Sequence, residues 1–239
     1  MTRMLLLFLL ISHFTWANDK TLSVALNVGA PWAYYQQDKG VVGIDVDIIK
    51  QVLNGLGYQP EFYLLTYQRL IKDFNQGKYD IASPAAFDTN EGHRTQTYLP
   101  FQDVAVTLAN RELSINEYSD LAGKIIVAYE HARAVLGETF TAAVTGERYT
   151  EIAEREIQLK LLADNKTDVV IGERLLLTTI MKNLYPQLEL AVHPIFEKKS
   201  YGAIVRDKTL QQQFDERLAT MRADGSLTAI LERWNATQD

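Results

Sequence analysis

The strongest constraint on this chain is an alternation of two periods in its first third. Apolar runs at 22–28, 61–65 and 79–82 are short and strand-like, and the stretches between them carry apolar residues at helical spacing. In the first stretch Ile48, Ile49, Val52, Leu53 and Leu56 share one helix face. Asp45 is placed to cap that helix, Asp45 and Asp47 suit its positive end, and Gly55 and Gly57 close it. In the second, Thr66 is the expected cap, Leu70, Ile71 and Phe74 form the apolar face, and Gly77 ends it. Strand, helix, strand, helix, strand is the grammar of a parallel sheet, because parallel neighbours need a crossover connection. Ligands of such sheets sit beyond the carboxyl ends of the strands. Three polar-aromatic loops leave from that edge: 29–35 with Trp32, the turn at Tyr67, and the loop after Ala82.

That third loop, 83–94, has no apolar period to fold it as a helix. Ser83 and Thr89 offer hydroxyls as hydrogen-bond donors to a ligand. Arg94 offers a planar, permanently charged fork suited to a carboxylate. The same arginine equally suits a surface pair with Asp88 or Glu91.

After a strand at 104–108 the grammar restarts. A strand at 125–129, a helix from Ala132, strand material near Tyr149, a helix over 151–163, a strand at 169–171 ending at Gly172-Glu173 and a helix from Arg174 form a second α/β unit. Extended segments at 188–195 and 200–205 precede two closing helices, split at Ala223-Asp224-Gly225-Ser226. Two such units imply two lobes with a cleft between them.

The chain opens with Arg3, an apolar run over 4–11, and small residues at Thr15 and Ala17. This is the form of a secretory signal peptide, 1–17, cleaved after Ala17. Its apolar core is too short for a membrane helix, and no other run reaches the ~20 residues one requires. There is no cysteine, which excludes thiolate metal sites, cysteine nucleophiles and a lipoprotein anchor, and leaves the exported protein to be stabilised by its core alone. The formal net charge of −6 comes from scattered charges, and such mild acidity argues against nucleic acid and anionic membranes. Four histidines without a pair at helical spacing point to no metal site. No cofactor is implied.

With these elements placed, the chain resembles bacterial periplasmic solute-binding proteins of the polar amino-acid type, family 3. The resemblance covers nearly the whole mature chain. It rests on Pro31-Trp32, on Gly43-Ile44-Asp45-Val46-Asp47-Ile48, on Gly77-Lys78-Tyr79-Asp80-Ile81, on Asp120-Leu121-Ala122-Gly123-Lys124, on Lys166-Thr167-Asp168-Val169-Val170, and on Ala223-Asp224-Gly225-Ser226-Leu227 through Trp234. It implies an α/β, two-lobed periplasmic-binding-protein-like (type II) clamp, each lobe a mainly parallel sheet flanked by helices. Lobe one would be 18–106 with 195–239 and lobe two 107–194. It further implies a monomer in the periplasm that takes a small solute, an amino acid or related carboxylate, to the permease of an ABC transporter.

The resemblance also assigns roles. Arg94 would hold the ligand's α-carboxylate, Tyr67 and Trp32 would flank its side chain, and Glu173 would hold its ammonium. Two positions depart from the family pattern. The Asp80-to-Arg94 segment is about two residues longer than usual, and the family's Gly-Thr-Ser/Thr turn reads Glu130-His131-Ala132, bringing His131 to the expected site. Simpler roles remain open beside these: Trp32 and Tyr67 as core aromatics, His131 as a helix-entry residue, Glu173 paired with Arg174 in solvent. Two other functions are carried along: a dehydratase of prephenate-like acids on the same fold, with Glu173 or His131 as general acid, and a solute sensor that signals through a membrane partner.

Overall fold

A computed structural model describes residues 20–144, 146, 148–234 and 236. The expected signal peptide lies outside them. Among the described residues no helix is long and apolar enough to cross a membrane.

The first lobe is built from β1 (Lys20–Asn27), a hairpin of β2 (Tyr34–Gln36) and β3 (Gly40–Val42), α1 (Ile44–Gly55), β4 (Tyr58–Leu65), α2 (Tyr67–Asn75), β5 (Ile81–Ser83) and β6 (His93–Arg94). β7 (Leu99–Leu108) leads into the second lobe, which holds β8 (Ile126–Ala128), α3 (Ala132–Ala143), β9 (Tyr149–Glu151), α4 (Arg155–Ala163), β10 (Val169–Glu173), α5 (Arg174–Leu184) and β11 (Leu190–His193). β12 (Lys198–Tyr201) leads back to β13 (Ile204–Val205), α6 (Lys208–Ala223) and α7 (Ser226–Arg233).

The first sheet has the order β4-β1-β5-β13-β6, with β4, β1 and β5 parallel and β13 antiparallel to both β5 and β6. The second has the order β11-β7-β10-β8-β9, with β10, β8 and β9 parallel. Each parallel core is covered on both faces, as the physics of unsolvated strands requires. Val24 and Leu26 of β1 face the cluster formed with α1, α6 and α7, while Ala25 between them faces α2. In the second lobe Val169 and Ile171 face α3, and Val170 faces α4 and α5.

Two antiparallel strands carry the chain between lobes. Residues 99–102 of β7 pair with 198–201 of β12. Leu99 is buried in the first lobe's core, and Ala105 and Val106 in the second's.

One cap differs from the sequence expectation. Gly43, not Asp45, caps α1, and it does so without a side chain. The first α1 amides are satisfied by the preceding loop: Ile44 N donates to Pro31 O at 3.0 Å and Asp45 N to Trp32 O at 3.0 Å. Gly43 has φ 144°, and a Cβ there would lie 2.2 Å from Trp32 O. That close approach locks the Trp32 loop onto the helix.

Candidate functional site

Parallel strands in both lobes deliver their carboxyl ends to one place. From the first lobe comes Tyr67, just past β4 and 36% exposed. Its hydroxyl donates to Ala86 O at 2.8 Å, which ties the turn at Tyr67 to the loop after β5. From the second come Tyr129 after β8, Arg155 after β9 and Glu173 at the end of β10. The strands joining the lobes supply the floor. Asp103 sits opposite Glu173 in the antiparallel register, so the two carboxyl groups leave the same sheet face. Phe101, Lys199 and Tyr201 follow on that face of β7 and β12.

Trp32 is 5% exposed and packs in the first lobe's core, as its aromatic reading allows. It also reaches across the cleft. Its ring stacks on Phe101 at 4.3 Å, and its Nε1 donates to Glu173 Oε2 at 2.9 Å. Glu173 is at the same time the N-cap of α5, accepting from Leu175 N at 3.1 Å and Leu176 N at 2.8 Å. It is therefore not paired with Arg174 in solvent. Burial pushes its carboxyl up to about 7, against the pull of these three donors. Asp103 is raised by burial as well, while the Tyr129 hydroxyl, donating at 3.0 Å, lowers it. Burial lifts the Tyr67 phenol to about 12.

Of the other expected residues, Arg94 lies near enough to Tyr67 for its charge to pull that phenol down, while Ser83, Thr89 and His131 are engaged elsewhere. Arg94 is at the edge of the first sheet, with a side chain 48% exposed. It donates through Nη1 to Ala85 O, and through Nη2 to Phe87 O at 2.5 Å and Asp88 Oδ1 at 3.1 Å. The sequence alternative of an Asp88 pair is thus present, while Glu91 meets Arg206 instead. Ser83 is fully buried, its hydroxyl 3.2 Å from Tyr98 Oη. Thr89 is half-buried and braces its own turn through Asn75 and Glu91 N. His131 is exposed at φ 64°, entering α3. Its amide and that of Arg133 donate to the two oxygens of Glu151, at 2.8 and 3.1 Å.

Sequence reasoning missed Asp103, Tyr129, Arg155 and Tyr201. The carboxyl-edge rule pointed to three loops of lobe one; carried into the second unit it marks Tyr129 and Arg155 equally. Asp103 had a signal too, as the one charged residue in the strand Leu99–Leu108. Among the described residues no cluster of His, Cys, Asp and Glu suited to a metal ion occurs.

The profile of the bacterial extracellular solute-binding proteins, family 3, matches residues 22–237. A probable amino-acid-binding protein of Bacillus subtilis, YxeM, is 23% identical over 223 residues, 87% of this chain and 83% of that one. Cyclohexadienyl dehydratase of Pseudomonas aeruginosa is 22% identical over 213 residues, 85% of this chain and 78% of that one. The solved structure of an ancestral arginine-binding protein bound to glutamine superposes with a TM-score of 0.72 at 20% identity, covering 91% and 98% of the two chains.

Proposed function

The chain belongs to the bacterial extracellular solute-binding proteins, family 3, and on that premise we propose that it closes its lobes over a small polar solute, an amino acid or related carboxylate, in the periplasm and delivers it to an ABC permease. No bond in the solute is broken. The observation that carries this reading is the convergence of both lobes' carboxyl edges on one aromatic cluster. Tyr67 stands on one side, Tyr129 and Glu173 on the other, and Phe101 and Tyr201 on the connecting strands. Flat rings give a solute contact area with little rotamer entropy to lose, and the few polar groups among them orient it. A clamp joined by two strands can rotate as two rigid bodies, and its exported address follows from the leader at 1–17.

A thermal-shift screen of the mature protein against L-amino acids and small organic acids tests this. A solute at a hundredfold excess over Kd stabilises the native state by about 2.7 kcal/mol, a shift of several degrees. A complete screen without any shift would remove the proposal.

One observation favours a second reading. A carboxyl held near 7 is half-protonated at neutral pH and suited to act as a general acid, and one relative is a dehydratase. Incubation with cyclohexadienyl acids, followed by ultraviolet absorbance, separates the two. Binding without turnover is expected.

A further inference from the structure

One cation at the cleft, Arg155, has no ion-paired partner among the described residues. Arg155 leaves α4 at the carboxyl edge of the second sheet, and its guanidinium lies over the Tyr129 ring at 5.3 Å. Among the described residues its one hydrogen bond joins Nη1 to Ala153 O at 2.8 Å. No carboxylate lies within ion-pair distance among the described residues, although Asp103, Glu156 and Glu130 act on it from further away. Burial lowers its pKa, which measures how poorly the charge is solvated there.

An arginine grips a carboxylate through one of two edges with parallel N–H groups, Nη1/Nη2 or Nε/Nη2, and both edges use Nη2. Arg155 keeps the Nε/Nη2 edge free. Arg94 does not: its Nη2 is committed to Phe87 O and Asp88 Oδ1, so neither edge remains. A further anion-binding feature of the cleft rim is likewise filled from within, because Glu151 occupies the amides at the start of α3.

We propose that Arg155, over the Tyr129 ring, is the residue that receives the carboxylate of the bound solute, and that Arg94 instead braces the loop over 85–88. The inference rests on the solute-binding function proposed above. It names the ligand class as a small carboxylate-bearing molecule whose acid group enters from the second lobe's side. The far end of the same molecule faces Tyr67 and Tyr201.

The test compares L-amino acids with the amines left by their decarboxylation, measured as Kd by calorimetry on wild-type, Arg155→Gln, Arg155→Lys and Arg94→Gln proteins. Wild type is expected to prefer an amino acid over its amine by about a hundredfold or more, the worth of a bidentate charged pair. Arg155→Gln is expected to erase that preference, leaving amine binding within about threefold of wild type. Arg155→Lys, which keeps the charge and loses the fork, should retain part of it. Arg94→Gln should keep the preference while lowering the melting temperature of the unliganded protein. A merely structural role for Arg155 would weaken amino acid and amine alike. That result, or an Arg94→Gln protein that alone loses the preference, would overturn the proposal. A wild-type protein that binds no amino acid would instead sink the solute-binding function and this inference with it.

Discussion

Asp45 lies in the first turn of α1, sealed from water, with Tyr98 Oη donating to its Oδ1 at 3.0 Å. Burial pushes its pKa from 3.8 up to about 7, and the hydrogen bonds from Ser83 and Tyr98 only partly oppose that. In the unfolded chain the carboxyl ionises near 3.8. Between that value and 7 the native state holds a proton that the unfolded state has lost, so stability falls as pH rises through this window. Above it the penalty is constant, on the order of 4 kcal/mol. Asp45→Asn keeps an acceptor for Tyr98 and carries no charge. It should stabilise the protein at pH 8 and flatten the slope between pH 4 and 7, as read by denaturant unfolding at several pH values. Glu173, raised in the same direction, will leave a residual slope. Asp45 also illustrates what sequence conceals at this scale. An acid just before an amphipathic run reads as a cap, and only the loop carbonyls of Pro31 and Trp32, placed by Gly43, take that role from it. For Arg94, too, the identity was visible in the sequence while its hydrogen bonds to Phe87 O and Asp88 were not.

Elements were far more legible than partners. The three parallel strands and two helices of the first unit follow from apolar periodicity, and the second unit from the same grammar, whereas β2 and β6 fall inside stretches that read as loops. The ends were less so, because they depend on pairing across the sheet. β4 begins at Tyr58 rather than near Glu61 since Tyr58 pairs with Lys20 on β1, and β7 begins at Leu99 because β12 returns alongside it. The helix expected over 151–163 starts at Arg155, as Glu151 is taken into β9 beside β8. Two predictions belong here. Glu151→Ala removes the acceptor of two α3 amides and of the Tyr149 hydroxyl. It should cost about 1–2 kcal/mol by denaturant unfolding, the usual loss for a cap. Gly43→Ala places a methyl against Trp32 O in a backbone conformation that favours glycine. It should cost about 2 kcal/mol or more, with a change in tryptophan near-ultraviolet dichroism that reports the displaced loop.

At the scale of the whole molecule the lobes meet through few groups. Trp32 donates to Glu173 across the cleft, and Leu175 at the start of α5 packs against the first lobe's core. Trp32→Phe keeps the stack on Phe101 and removes the hydrogen bond. About 1–3 kcal/mol should be lost, and Glu173, short of one donor, should titrate higher still. That combination would show that the contact between lobes is read by the same carboxyl that faces the cleft. The two-lobed architecture was legible because it repeats one grammar twice. The inventory of the cleft was not, since Asp103, Tyr129, Arg155 and Tyr201 come together only through the pairing of β7 with β10 and β12.

The account stands most directly on calorimetric titration of the wild-type protein with the L-amino acids, followed by recovery of the solute. It predicts saturable heat for at least one of them, one site per chain, a negative heat-capacity change from apolar surface buried on closure, and solute recovered unaltered. No saturable heat across the series would contradict it, and so would a solute recovered chemically changed.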